Sequence, residues 1–254
     1  MKLLLCLVAL AGLVASEPSQ RIVGGSNAYA GQFPWQVSLQ RDYGNSWSHT
    51  CGGVLIANNR VLTAAHCVTS TSPQLYRVVL GNHRLNNVDG TEQTIYISSI
   101  VNHPNHSANA AGFPNDISVL RLSSNANTGS SAVSTIGLAP SGSSFAGQTC
   151  TISGWGRTSG TSGLSNILQY VGMLKISNAE CTRRLSVIIG ASINDGHICV
   201  YQSGRSACTA DSGGPMICNG LLAGITSWGT SGCTGNYPSV YTRVSQFVSW
   251  INGL

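Results

Sequence analysis

The stretch Cys208–Cys218 reads CTADSGGPMIC, and its reading decides how the whole chain is understood. Ser212 stands between Asp211 and the pair Gly213-Gly214, with a cysteine at each end of the segment. A serine hydroxyl is inert unless a base removes its proton and donors hold the resulting oxyanion. The rest of the chain has to supply both. The commonest base for serine is histidine, and six are present. His66, in LTAAHC, stands out because the adjacent Cys67 can tie its loop to Cys51, sixteen residues earlier, and so fix the ring. The imidazole then needs a buried carboxylate to set its tautomer and stabilise the imidazolium. Asp116 opens the apolar run DISVLRL, a costly place for a charge that has no partner.

Composition bounds the fold. A chain of 254 residues permits one large all-β domain or two small ones. Hydrophobic residues make up 42%, enough for a substantial core, while charged residues make up only 8%; an average soluble protein has about 25%. Thirty glycines and abundant Ser, Thr and Asn point to short strands and tight turns. The runs WQVSLQ, YRVVLG, TIYISSIV, DISVLRL, CTISGWG, LLAGITSWG and SVYTRV, each closed by turn residues, suggest a sandwich or barrel. One helix is expected at the C-terminus, where Val244, Phe247, Val248 and Ile251 fall at i, i+3, i+4 and i+7. Ser245 is its expected N-cap and Gly253 its stop. The polar, charge-free stretch 122–137 is the expected connection between two halves.

The first sixteen residues, MKLLLCLVALAGLVAS, have one lysine, an apolar run and small residues at the end. That pattern predicts a secretory signal peptide over 1–16, too short to span a bilayer, and a secreted, extracellular product with no membrane association. Removing Cys6 with it leaves eight cysteines, an even number for an oxidising compartment. No Cys-x-x-Cys or His-x-x-x-His pair supports a metal site. The formal net charge is +5, but only two lysines occur and the arginines are scattered. The pair Arg183-Arg184 reads as a solvated surface feature, so no nucleic-acid partner is expected.

His66, Asp116 and Ser212 follow the chain order of one known catalytic triad. A Gly-x-Ser-x-Gly elbow is the competing reading of ADSGG, but that fold needs Ser before Asp before His and alternating helices. With RIVGG, FPWQVSLQ, CGGVLI, LTAAHC, NDISVLRL, SGWG, DSGGP, SWG and YTRV in place, residues 22–254 resemble the trypsin/chymotrypsin-type serine peptidases. The resemblance implies an all-β fold of two six-stranded antiparallel β-barrels packed together, with a C-terminal α-helix and the active site between the barrels. It implies His66 as general base and then acid, Asp116 as its orienting carboxylate and Ser212 as nucleophile. The oxyanion hole is implied to be the N–H groups of Ala210 and Ser212, with Ser227, Trp228 and Gly229 pairing with substrate as an added strand. It also implies a propeptide at 17–21, cleaved after Arg21 by a trypsin-like protease. The new Ile22 ammonium would pair with Asp211, and before cleavage His49 either engages Asp211 instead or is a plain structural histidine. The implied disulfides are Cys51–Cys67, Cys150–Cys218, Cys181–Cys199 and Cys208–Cys233.

By the same resemblance Ser206 is the floor of the specificity pocket, and Gly229 and Ser239 are its walls. A neutral floor and open mouth suit Phe, Tyr, Leu or Met; elastase-like cleavage after small aliphatic residues is the alternative. The segment GNHRLNNVDGTEQ resembles a calcium loop, with Asp89 and Glu92 at ligand positions but Asn82 in place of the usual Glu and Arg84 nearby. No other cofactor is expected. Asn105-His106-Ser107 is a glycosylation sequon. A monomer acting on protein or peptide substrates, and open to protein inhibitors, is expected. Ala210 departs from the family, which has glycine there. An ordinary negative φ is expected for it, with a steric cost on the leaving-group side. An inactive relative that serves as a binding protein, because of Ala210, is the alternative class.

Overall fold

The computed structural model describes residues 22–254; the expected signal peptide 1–16 and propeptide 17–21, Arg21 included, lie outside the described residues. Six strands close the first barrel: β2 (Gln36–Asp42), β3 (Trp47–Ala57), β4 (Arg60–Thr63), β5 (Tyr76–Leu80), β6 (Gln93–Asn102) and β7 (Ser118–Leu122). They pair antiparallel in the order β2-β3-β4-β7-β6-β5. After the connection 123–148 come β8 (Thr149–Gly154), β9 (Gln169–Ile176), β10 (His197–Tyr201), β11 (Pro215–Cys218), β12 (Leu221–Trp228) and β13 (Ser239–Arg243). Their order is β9-β10-β13-β12-β11-β8, and β8 pairing with β9 closes the ring. The short β1 (Ser26–Asn27) pairs with the edge of β9. Two closed six-stranded antiparallel barrels therefore form the molecule, as the resemblance implied.

Each barrel buries its own alternating face. In β2, Val37 and Leu39 enter the first core with Val54, Leu62 and Leu120. The opposite face of β2 is buried too, although it is polar: Gln36, Ser38 and Gln40 lie there. Buried polar groups need partners, and some are found across the barrel boundary. Gln36 Oε1 accepts a hydrogen bond from Ser153 Oγ at 2.7 Å. The first barrel thus presents a polar, hydrogen-bonding wall to the second, and the site forms along that wall. Four disulfides hold these parts together: Cys51–Cys67 ties a turn to β3, Cys150–Cys218 joins β8 to β11, Cys181–Cys199 joins residues 178–185 to β10, and Cys208–Cys233 joins two loops.

Two helical features differ from expectation. The helix α1 (Asn178–Leu185) was not anticipated, yet its start is written in Ser177-x-x-Glu180. Ser177 Oγ accepts the Glu180 N–H at 3.1 Å. The C-terminal segment begins as a 3₁₀ turn over Val244–Gln246, then becomes α2 (Val248–Asn252), with Gly253 following. Val244, Phe247 and Ile251 are buried, as the spacing predicts, but Ser245 is not the N-cap. It lies inside the 3₁₀ turn, buried, and its hydroxyl caps nothing. Among the described residues no helix is long and apolar enough to cross a membrane.

The segment resembling a calcium loop lies against the second barrel. The Leu85 N–H donates to Asn166 O at 2.8 Å, and the Leu168 N–H donates to His83 O at 2.9 Å. Three of the four oxygens of its two acids are engaged; Asp89 Oδ2 is buried without a partner. Arg84 Nε donates to Asp89 Oδ1 at 2.8 Å, and Arg84 Nη2 donates to the same oxygen. Both Glu92 oxygens accept backbone N–H groups, from Asp89 at 2.7 Å and Gly90 at 2.8 Å. The buried, unpartnered Asn82 Oδ1 opens instead on a small cavity shared with Gln36. A divalent ion would have to share Asp89 with a guanidinium and displace the donors on Glu92, so the residues do not fit calcium. Arg84 is the loop's own cation. A chelator is therefore expected to leave the thermal midpoint unchanged, whereas Arg84→Gln lowers it whether or not calcium is added. Calorimetry with EDTA and with calcium chloride checks both.

Candidate active site

His66 owes its place to small residues. After β4, Ala64 and Ala65 are buried and let the 3₁₀ turn Ala65–Cys67 dock on the first core. The Cys51–Cys67 disulfide closes that turn onto β3. Asp116, just before β7, is 0% exposed. Its Oδ1 accepts the His66 N–H at 2.9 Å, and its Oδ2 accepts from His66 Nδ1 at 2.7 Å and from Ser227 Oγ at 2.6 Å. Burial by itself would raise this carboxyl's pKa; the bonds and charge of His66, with Ser227, outweigh it and hold the group below its ordinary value. With Nδ1 donating to Asp116, Nε2 is left as the basic nitrogen of the neutral ring. The Sγ atoms of Cys51 and Cys67 lie near His66, but as a disulfide they offer no thiolate for a metal.

Ser212 is carried by a loop pressed against the first barrel. The Gly52 N–H donates to Ser212 O at 2.7 Å, and Gly213 N–H donates to Thr226 O at 2.8 Å. Gly213 has φ +78°, and a Cβ there would overlap Thr63 Oγ1 and the Gly52 carbonyl. Only glycine lets the loop come this close to the strand end that leads to His66. Ser212 opens on a cleft of about 380 Å³, shared with Phe113, Ser227, Trp228 and Gly229. Among the described residues no hydrogen bond joins Ser212 Oγ to His66. Such contacts commonly tighten only when substrate binds.

Asp211, beside the serine, is buried and faces inward. Its Oδ1 accepts the Gly156 N–H at 2.8 Å and its Oδ2 the Cys208 N–H at 2.9 Å. No cation pairs with it among the described residues, and burial pushes its carboxyl up to about 7. Ile22 is 1% exposed, in the same apolar cluster as Ile152 and Tyr241. The Asp211 charge acts on the Tyr241 phenol, which burial already pushes up.

Two expectations need correction here. His49 is not bonded to Asp211; its Nε2 donates to Ala210 O at 3.1 Å, and its Nδ1 accepts from Ser38 Oγ at 2.8 Å. The backbone carbonyl, held within reach by the nucleophile loop, takes the donor. Burial pushes the His49 ring down to about 4, so it is neutral, as this donor–acceptor arrangement requires. Ala210 itself has φ +74°, not a negative value. It occupies left-handed backbone that glycine adopts freely, at a strain of roughly 1–2 kcal/mol for a residue with Cβ. The expectation failed because the surrounding bonds set this backbone: Asp211 N–H to Cys208 O on one side and His49 on the other.

The pocket residues meet one another. Ser206 Oγ donates to Ala207 O at 2.6 Å and lies 3.3 Å from Ser239 Oγ, which accepts the Ala207 N–H at 3.2 Å. Ser206 and Ser239 are 6% and 1% exposed and lie outside the residues that line the open cleft, whereas Ala207 lines it. No carboxylate lines this cleft. A Cβ added to Gly229 would meet nothing within 4 Å, so the mouth is open. Sequence reasoning missed Phe113. The available signal was an aromatic residue in an otherwise polar loop, three residues before Asp116.

The trypsin family model matches residues 22–251. A chymotrypsin-like serine proteinase of Haliotis rufescens is 51% identical, with 99% of this chain and 97% of the relative covered. Chymotrypsin-like elastase family member 1 of Bos taurus is 43% identical over 93% of this chain and 90% of its own length. A trypsin of Xenopus laevis is 40% identical over 98% and 96%. With two closed barrels and a neutral cleft at Ser212, and with likeness at this level along nearly its whole length, the chain belongs to the trypsin family and is a serine endopeptidase.

Proposed function

We propose that the chain is secreted as an inactive precursor, is cut between Arg21 and Ile22, and then hydrolyses peptide bonds after large apolar residues. The observation that carries the specificity is the lining of the cleft at Ser212, which holds no carboxylate to meet a basic side chain, with the Ser206–Ser239 hydroxyl pair buried behind Ala207. An arginine inserted there would be desolvated without a partner. The open mouth at Gly229 admits Phe, Tyr, Leu or Met. In the reaction His66 Nε2 takes the proton of Ser212 as its Oγ attacks the scissile carbonyl. Asp116 stabilises the imidazolium, and the N–H groups of Ala210 and Ser212 hold the oxyanion. The imidazolium returns the proton to the leaving amine, and water then hydrolyses the acyl-enzyme by the same route.

Activation follows from Asp211. Among the described residues no cation meets its buried carboxyl, so ionisation is disfavoured near neutral pH. A new ammonium at Ile22 would supply the missing partner and order the loop that carries Ala210 and Ser212. The Arg21→Gln precursor is expected to resist activation by trypsin, read as peptide hydrolysis before and after treatment. A panel of peptides varied only at the residue before the cut is expected to show turnover after Phe, Tyr, Leu or Met and almost none after Lys or Arg. Preference for Ala or Val would instead mark elastase-like specificity.

Ala210 retains its N–H as the oxyanion donor of this reading, and the strain of a Cβ in left-handed backbone is its cost. Ala210→Gly is expected to raise stability by roughly 1 kcal/mol, measured by denaturant titration. It should accelerate cleavage of long peptides more than release of a small chromogenic group, because the lost Cβ borders the leaving-group side. Equal acceleration of both by about 10²–10³ would indicate that the donor itself had been displaced in the natural protein.

A further inference from the structure

A second histidine faces the carboxylate of Asp116. In the sequence His106 stood out only as the middle of the sequon Asn105-His106-Ser107. In the fold it belongs to the loop between β6 and β7, which backbone bonds tie down near both ends. The His103 N–H donates to Ile117 O at 3.0 Å, the His106 N–H to His103 O at 2.9 Å, and the Ser107 N–H to Pro114 O at 3.4 Å. His106 Nδ1 then lies 3.2 Å from Pro114 O and 4.0 Å from Asp116 Oδ1, with the side chain 13% exposed.

Both neighbours of Nδ1 are acceptors, so Nδ1 carries a proton in the neutral ring as well as in the charged one. The second proton is gained or lost at Nε2, which has no protein partner among the described residues and is left to solvent. The carboxylate is unevenly occupied. Its Oδ2 accepts from His66 Nδ1 and Ser227 Oγ, whereas Oδ1 accepts only the His66 N–H. His106 stands within ion-pair range of the less occupied oxygen. Two further histidines lie nearby. His103 packs on the rings of Phe247 and Trp250, and burial, then the charge of a protonated His106, hold it below its ordinary value. His197, on β10, is held down by burial against the pull of its hydrogen-bond acceptors and of Asp116. The histidines left to share the Asp116 charge are therefore His66 and His106.

We propose that His106 is a positioning residue for the catalytic pair: once protonated it shares the Asp116 charge with His66, opposes protonation of the His66 ring, and so extends the active form of His66 toward acid pH. The proposal rests on the triad reading and assigns the acid limb of the peptidase's pH profile to two coupled histidines. Its sign follows from charge alone. A cation near Oδ1 repels an imidazolium on Oδ2, so adding a proton to His66 costs more than it would beside Asp116 alone. Without His106, His66 takes its proton at higher pH, and activity is lost earlier on acidification.

The test follows kcat/KM against pH for the activated natural enzyme, His106→Phe and His106→Asn, on a peptide with no ionisable side chain. Both substitutions keep the sequon at Asn105. Phe fills the space with neither donor nor charge; Asn keeps a donor near Nδ1 but cannot become a cation. The midpoint of the acid limb is expected to rise by about half a pH unit or more in both variants. The alkaline plateau should stay within about twofold, because His106 touches no substrate. Active-site titration counts only folded enzyme, and where one variant does not fold the other carries the comparison. The Nδ1–H proton resonance of His66, followed by NMR over the same pH range, should move by the same amount. An unmoved or lowered midpoint, or a plateau loss without a midpoint shift, would overturn the proposal. So would a raised midpoint in Phe alone, since donation and not charge would then be the cause. If activity of the natural enzyme fails to follow the His66 resonance, the triad reading falls, while the shift of that resonance between natural enzyme and variants still decides the role of His106.

Discussion

The carboxylate of Asp116 has no exposed surface, and an ionised group in such a place costs several kcal/mol unless donors surround it. The donors come from two barrels. His66 offers its backbone N–H and Nδ1 from the end of β4, and Ser227 offers its hydroxyl from β12. Thr242, on β13, donates its hydroxyl to the Asp116 carbonyl at 2.7 Å. Satisfying this one residue therefore fixes how the barrels sit against each other. Removing a single partner from such a group typically costs about 3–5 kcal/mol, a large part of a domain's net stability. The His66–Asp116 pair lies at the boundary because the donors to its charge come from both sides of it.

The nucleophile loop is held by a different constraint, the absence of side chains. Gly52 meets the Gly214 backbone so closely that an added Cβ would lie 2.8 Å from its Cα. Gly213 and Gly156 lack room for a side chain in the same way, the latter because Asp211 occupies the space. Around Ser212, then, backbone packs on backbone, and position is set to within a few tenths of an ångström. Ala210 is the exception. It carries a Cβ through a backbone conformation suited to glycine, and His49 holds its carbonyl. Strain at such a position persists only where the surroundings over-determine the backbone. Here they do.

Much of the fold could be read along the chain. Alternating runs and turn residues marked the strands, and the apolar spacing near the C-terminus marked the burial of Val244, Phe247 and Ile251. Local pattern did not extend to the junction at Phe247, where a 3₁₀ turn gives way to α2; Ser245 looked like a cap but sits inside that turn. The helix α1 was legible in Ser177 and Glu180 and was passed over because the chain looked uniformly β. Candidate residues for chemistry were visible by type and setting. Their contacts were not, because His66 and Asp116 meet across fifty residues only when the barrel closes. The φ of Ala210 and the turn of His49 toward a carbonyl are likewise products of tertiary contacts, and Phe113 acquires its place in the cleft from loops far away in sequence.

The low charge content acquires a meaning once these contacts are known. Only 8% of residues are charged, and most of the acids that remain have an assigned structural task. Asp42 accepts the Gly44 N–H in a turn, Asp89 and Glu92 hold the loop with Arg84, and Glu180, in the first turn of α1, pairs with Arg183 and Arg184. These lie at or near the surface, where ion pairs are worth little each. Asp116 and Asp211 are the two that are fully buried, and they are solved differently. Asp116 is surrounded by donors and held ionised. Asp211 has two backbone N–H groups and, among the described residues, no cation, and is pushed toward the neutral form. In one fold, one buried carboxylate is complete and the other is one positive charge short. The incomplete one sits beside the nucleophile. A cation brought to Asp211 would complete this second carboxylate and leave untouched the charge that orients the barrels.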